Sequence, residues 1–154
     1  MTQPLLRIDD LHTHFFLDEG VVRAVNGVNL EIPAGRTLAV VGESGCGKSV
    51  TAFSILRLIS EPGRIVSGEV VMNHSDTEVV LTGLPEEGEA IREIRGKEIA
   101  MIFQEPMTSL SPVHTVGDQI LEAVSLHTDM DRRAALEHTI QMLERVGIPD
   151  APGR

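Results

Sequence analysis

The sequence predicts an α/β fold, and three observations carry that prediction. A short apolar β-type run, Thr37–Val41, leads into a glycine-rich loop, and the loop leads into Val50–Ile59, which reads as a helix. Ahead of this unit lie short runs broken by turn residues, the pattern of a small antiparallel sheet leading into a parallel one. Behind it, apolar residues recur at helical spacings of three and four.

In chain order, Leu5–Phe16 alternates loosely, Asp18-Glu19-Gly20 makes a turn, and Val21–Val25 resumes an extended run. Asn26-Gly27 is a hairpin-type dipeptide. Val28–Ile32 alternates with period two until Pro33-Ala34-Gly35 breaks it. After the loop and its helix, Glu61-Pro62-Gly63 is a stop. Gly68–Met72 and Glu78–Leu81 read as two strands joined by the polar turn Asn73–Thr77. Leu84–Arg95 reads as a short amphipathic helix, with Ile91 and Ile94 on one side and Glu86, Glu87 and Glu89 as a solvated surface rather than a metal site. Ile99–Phe103, five apolar residues, has the composition of a buried strand. Gln104–His114, with two prolines, two serines and Thr108, is a loop with local capping options. Two helices follow: Val116–Leu126, with Val116, Ile120, Ala123 and Val124 on one side, and Asp131–Val146, with Leu136, Ile140 and Leu143. Asp131 is the expected N-cap of the second and Gly147 its stop.

At 154 residues the chain is long enough for one domain with its own core, and 42% hydrophobic with 23% charged residues is a globular composition. No apolar run approaches the ~20 residues of a membrane-spanning helix. Met1-Thr2-Gln3-Pro4 does not resemble the start of a leader peptide, so a cytosolic chain that meets membranes only through a partner is expected. The net charge of −10 argues against a nucleic-acid surface, because no basic stripe is available to displace phosphate counterions. Cys46 is the one cysteine, which excludes an internal disulfide and fits a reducing compartment. It reads as a small residue that fits its turn, and as a target for thiol alkylation. His12 and His14 share one face of a strand and read as solvated strand residues; His74, His114, His127 and His138 show no ligand spacing.

The chemistry lies in Gly42-Glu43-Ser44-Gly45-Cys46-Gly47-Lys48-Ser49, which fits G-x-x-x-x-G-K-[ST], the phosphate-binding loop. Consecutive backbone N–H groups in such a turn converge on an anion, and the helix opening at Val50 aims its positive dipole end at the same place. Lys48 adds a formal charge for the outer phosphates, and the Ser49 hydroxyl is a ligand for Mg²⁺.

A second motif narrows this reading. Ile99-Ala100-Met101-Ile102-Phe103-Gln104-Glu105-Pro106-Met107-Thr108-Ser109-Leu110-Ser111-Pro112 resembles the Q-loop of ATP-binding cassette (ABC) transporter ATPases, and more narrowly the subunits that drive oligopeptide, dipeptide, nickel or glutathione importers. Gly42–Thr51 and Asp18–Val25 are similar to the same subgroup, so the resemblance runs along essentially the whole chain. It implies a P-loop NTPase core with an N-terminal antiparallel β-subdomain in residues 1–103, and a Q-loop with the beginning of a helical subdomain in residues 104–154. It implies that ATP and Mg²⁺ bind, with the phosphates on Gly42–Ser49 and Val50, Lys48 on the terminal one, and Gln104 reaching the metal and the attacking water. An amide suits that role because it accepts and donates without adding charge. The resemblance further implies that Phe16, or else Phe15, stacks on adenine and that Glu105–Val113 meets transmembrane permease subunits. A second ATPase subunit is the other implied partner, and the cytoplasmic face of the inner membrane the implied location.

The family's LSGG signature, its Walker B strand with an Asp-Glu pair and its switch histidine have no counterpart in these residues. The expectation is therefore an incomplete nucleotide-binding domain that is inactive and marginally stable alone. Two alternatives stand beside it: a fragment that holds nucleotide without turnover, and another phosphate-loop enzyme such as a small-molecule kinase or GTPase. Against the latter, no Asn-Lys-x-Asp guanine motif is present and Gln104-Glu105-Pro106 would have no purpose.

Overall fold

Two long strands, β1 (Leu6–Leu17) and β2 (Gly20–Ile32), fold back on each other around the turn at Asp18-Glu19. In this computed structural model, which describes residues 3–74, 77–104 and 110–150, they join β3 (Gly63–His74) and β4 (Thr77–Val80) in an antiparallel sheet of order β2-β1-β3-β4. The first unit, Met1–Glu93, contains this sheet and helix α1 (Lys48–Ile55). A 3₁₀ turn at Leu81–Gly83 follows β4, and α2 (Glu89–Ile94) buries Ile91 and Ile94 as its apolar spacing predicts. The second unit, Ile94–Arg154, is built on α3 (Val116–His127) and α4 (Arg132–Arg145), which pack on each other.

The sheet keeps one buried face by means of bulges. Leu6 and Ile8 are buried, and so are Leu11 and Thr13, although simple alternation would turn the second pair to the other side. The extra residue in β1 between Ile8 and Leu11, with Asp10 at φ 45°, resets the alternation, and the pairings to both β2 and β3 shift there. Asn26-Gly27 is not a hairpin turn, as its composition suggests. It is a second irregularity within continuous β2, where the pairing jumps from Leu11↔Val28 to His12↔Asn26. Gly27 takes φ 77°, and a methyl group there would stand 3.3 Å from Asp10 Oδ1. The hairpin dipeptide thus serves as a bulge because the partner strand already supplies the pairing on both sides of it.

Two expected strands are absent. Thr37–Val41 forms no strand, and Val41 is 88% exposed. Ile99–Phe103 is likewise not a strand: a lone bridge pairs Arg95 with Ile99, and Ile102 is 95% exposed. The physical reason is the same in both places. Apolar composition favours extended backbone only where neighbouring strands take up its N–H and C=O groups, and no ladder among the described residues runs through these segments.

Helix limits also differ from the sequence reading. α1 ends at Ile55 rather than Ile59, because Arg57 enters the left-handed region at φ 55° and the Leu58 N–H donates back to Phe53 C=O. Arg57 pairs with Glu86 at 3.3 Å, tying this turn to the segment before α2. In the second unit the expected cap and stop of α4 are in place, and α3 has a cap that the sequence reading did not single out. Thr115 caps α3 by accepting from the Asp118 N–H, and Asp131 caps α4 by accepting from Ala134 N–H at 2.8 Å. The Gly147 N–H donates to Glu144 C=O and closes α4. The buried stripe of α4 is Ala135, Thr139 and Leu143, whereas Leu136 is exposed, so its core face is rotated from the one expected. Ser75-Asp76 of the expected turn, Glu105–Ser109 of the expected Q-loop and the terminal residues 151–154 lie outside the described residues.

Candidate nucleotide site

The loop Gly42–Ser49 is positioned by the hairpin beneath it. Gly47 is the N-cap of α1 at φ 95°, and an added methyl would collide with the backbone carbonyl oxygen of Ala24 in β2. Only glycine permits both that dihedral and that approach. The first intrahelical bond runs from Thr51 N–H to Gly47 C=O at 2.8 Å, so the N–H groups of Lys48, Ser49 and Val50 point out of the helix toward the loop. The first turn of α1 has no acidic residue and no side-chain cap, which leaves its positive end to an external anion.

Lys48 folds back over the loop. Its ammonium donates to Gly42 C=O and Glu43 C=O, each at 2.7 Å, and lies 3.3 Å from Cys46 Sγ. A methyl at Gly42 would stand 2.6 Å from that sulfur. The loop is thus closed around its own cation, with Glu43, Ser44, Gly45 and Cys46 exposed along its outer side and Ser49 exposed at the helix start. These features fit a phosphate chain with a divalent cation: a positive helix end, one ammonium, and a hydroxyl accessible beside them, with no carboxylate in the first turn to repel the anion.

Helix α1 is joined to β1 through buried hydroxyls. Thr13 Oγ1 and Ser54 Oγ lie 2.8 Å apart, and both residues are 0% exposed. Ser54 in turn donates to Val50 C=O at 2.7 Å, and Thr51 Oγ1 donates to Gly47 C=O at 3.0 Å. The sequence reading missed this pair. Thr13 carried no signal beyond its strand position, and the β1 bulge that aims it at α1 is invisible in local composition.

The two phenylalanines lie on opposite faces of β1. Phe15 shares the face of Thr13, and its ring meets Gly63 beside the Ile59 side chain, which follows α1. Phe16 shares the other face with His12 and His14, at 6.4 Å from the His14 ring, and Arg64 stands 4.1 Å over its centre. His12 bonds to Asp10 and Asn26, and its ring meets His14 edge-on at 6.0 Å. Both histidines are half-buried rather than fully solvated, and His14 Nε2 is buried without a hydrogen-bond partner. Among the described residues no group of three or more His, Cys, Asp or Glu side chains is placed to hold a metal. Gln104 belongs to the second unit, where it lies exposed in a bend. No helix among the described residues is long and apolar enough to cross a membrane.

Comparison with known proteins bears on the family. Residues 25–154 match the family model described as ABC transporter. A probable peptide ABC transporter ATP-binding protein of Sinorhizobium fredii is 52% identical over 151 residues, 97% of this chain and 43% of that protein. A putative peptide import ATP-binding protein of Brucella abortus is 47% identical over 99% of this chain and 45% of its own length. The glutathione import ATP-binding protein GsiA of Escherichia coli is 40% identical over 96% of this chain and 24% of its own length. Among solved structures, a dimeric post-hydrolysis state of the ATP-binding cassette MJ0796 bound to ADP and Pi superimposes with a TM-score of 0.73 at 20% identity, covering 90% of this chain and 56% of that one. The chain spans less than half the length of these relatives. With the family model running through the loop, α1 and onward to the last residue, the chain belongs to the ABC transporter family.

Proposed function

We propose that the chain binds the triphosphate of ATP on Gly42–Ser49, and that the whole protein is the energy-coupling ATPase subunit of an importer for peptides or similar small solutes. The observation that carries this reading is the loop: an ammonium held across it by two carbonyls, in front of a helix end whose N–H groups at residues 48–50 have no intrahelical acceptor. An incoming phosphate competes with Gly42 C=O and Glu43 C=O for Lys48, and it adds an attraction between two formal charges that a neutral carbonyl lacks. The names of the peptide and glutathione import relatives support the solute class.

Within this reading Ser49 and Gln104 would hold Mg²⁺, which when bound neutralises charge building on the phosphates. The Gln104 amide would orient the attacking water. The adenine ring stacks on Phe15 rather than Phe16, because Phe15 lies on the α1 face of β1 whereas the Phe16 ring is already covered by Arg64. A second ATPase subunit and transmembrane permease subunits are the partners, and the protein reaches the cytoplasmic face of the membrane through the latter. ATP binding draws the two subunits together and hydrolysis releases them, so nucleotide affinity becomes a shift in the transporter's conformational population.

The test is calorimetric titration of ATP against the chain and its Lys48→Ala variant. Losing one charged hydrogen bond and its long-range attraction should weaken binding by about 10- to 100-fold. Equal affinity in the two proteins would remove the loop from the site.

A further inference from the structure

We infer that Thr13 and Ser54 form a positioning relay that fixes the phosphate loop relative to the base-binding strand, a role that rests on the nucleotide reading above. The direction of the relay follows from donor counting. Ser54 Oγ donates its single proton to Val50 C=O at 2.7 Å, so the contact of 2.8 Å with Thr13 is one in which Thr13 Oγ1 donates and Ser54 accepts. The chain of bonds runs from β1 through Ser54 to the carbonyl of Val50, one residue beyond Ser49.

Both hydroxyls are fully buried, so water cannot replace either partner: deleting Ser54 strands the Thr13 donor, and deleting Thr13 leaves Ser54 its bond to Val50 but no tie to β1. Ser54 is the buried residue of α1, whose apolar neighbours could pack at several rotations about the helix axis. A directional bond admits one. Phe15, two residues after Thr13 on the same face, moves with β1, whereas Lys48 and Ser49 move with α1. The relay therefore sets the separation between the two ends of a bound nucleotide while touching neither.

A ligand that uses only the loop should not sense this separation, and one that uses both ends should. Affinities for ATP and for inorganic tripolyphosphate are measured by titration on the full chain, with the melting temperature of each variant alongside. Thr13→Val should weaken ATP by about fivefold, the scale of one net hydrogen bond, and leave tripolyphosphate within about twofold. Ser54→Ala, which removes the relay from the helix side, should give the same selective loss even if Thr13→Val folds poorly. Thr13→Ser, which retains the hydroxyl, should restore the wild-type ratio. An equal loss for both ligands, or none for either, overturns the relay and reduces the pair to a packing contact. Failure of the unmodified chain to bind tripolyphosphate, or binding that Lys48→Ala leaves unweakened, overturns the phosphate-loop reading and the relay with it.

Discussion

The segments β1 (Leu6–Leu17) and Thr37–Val41 are both rich in branched and apolar residues, yet one is the centre of a sheet and the other is not a strand at all. β1 has β2 on one edge and β3 on the other, and its inward side chains Ile8, Leu11 and Thr13 are almost completely buried. Thr37–Val41 has no such edges among the described residues, and Leu38, Val40 and Val41 are exposed. Composition supplies the willingness to extend, whereas the strand itself is a property of its neighbours.

The largest expected consequence of this difference is in backbone protection. Amides of Leu11 and Thr13 should exchange with solvent on the order of a thousandfold more slowly than those of Leu38 and Val40, measured by hydrogen exchange with mass or NMR detection. Comparable protection in the two segments would break the contrast at its root. Next in size is the effect of side-chain truncation. Leu11→Ala should destabilise the chain by about 2–5 kcal/mol in urea unfolding, through lost burial and the cavity left behind. Val41→Ala should change it by less than about 0.5 kcal/mol, because most of that side chain already lies in water.

The legibility of the fold follows the same division. Features set by nearest neighbours were readable. The glycine loop, the Asp131 cap, the Gly147 stop and the extent of α3 need only a few consecutive residues, and they stand where the sequence puts them, although Ala123 of the expected apolar side of α3 is exposed. Features set by distant partners were not. The irregularity at Asp9-Asp10 and the demotion of Asn26-Gly27 from turn to bulge depend on what β1, β2 and β3 offer each other across the sheet. The end of α1 at Ile55 depends on Arg57, which is drawn out of the helix beside Glu86. In the site, the order of the loop residues was legible because the motif is contiguous. Which of Phe15 and Phe16 takes the α1 face, and the meeting of Thr13 with Ser54 across 41 positions, were hidden because both follow from the bulge.

A loss smaller than that of Leu11→Ala sharpens the contrast from its local side. Asp131→Ala removes one cap and should cost about 1 kcal/mol, seen as a modest loss of helical signal and a lower unfolding midpoint. A cost several times larger would mean that this capping bond is coupled to distant packing in the way the sheet residues are.

The bulge at Asp9-Asp10 has one further consequence, which concerns chain length. Strands usually tolerate replacement of their residues as long as the inward positions stay apolar. Here two residues lie between the inward Ile8 and Leu11, one more than alternation needs. Straightening the bulge at constant length would restore simple alternation and swing Leu11, Thr13 and Phe15 together to the outer side of the sheet, whereas deleting one aspartate would remove the bulge and leave all three inward. Lineages and engineers alike should therefore find this stretch forgiving of spelling and of the loss of one of its two aspartates.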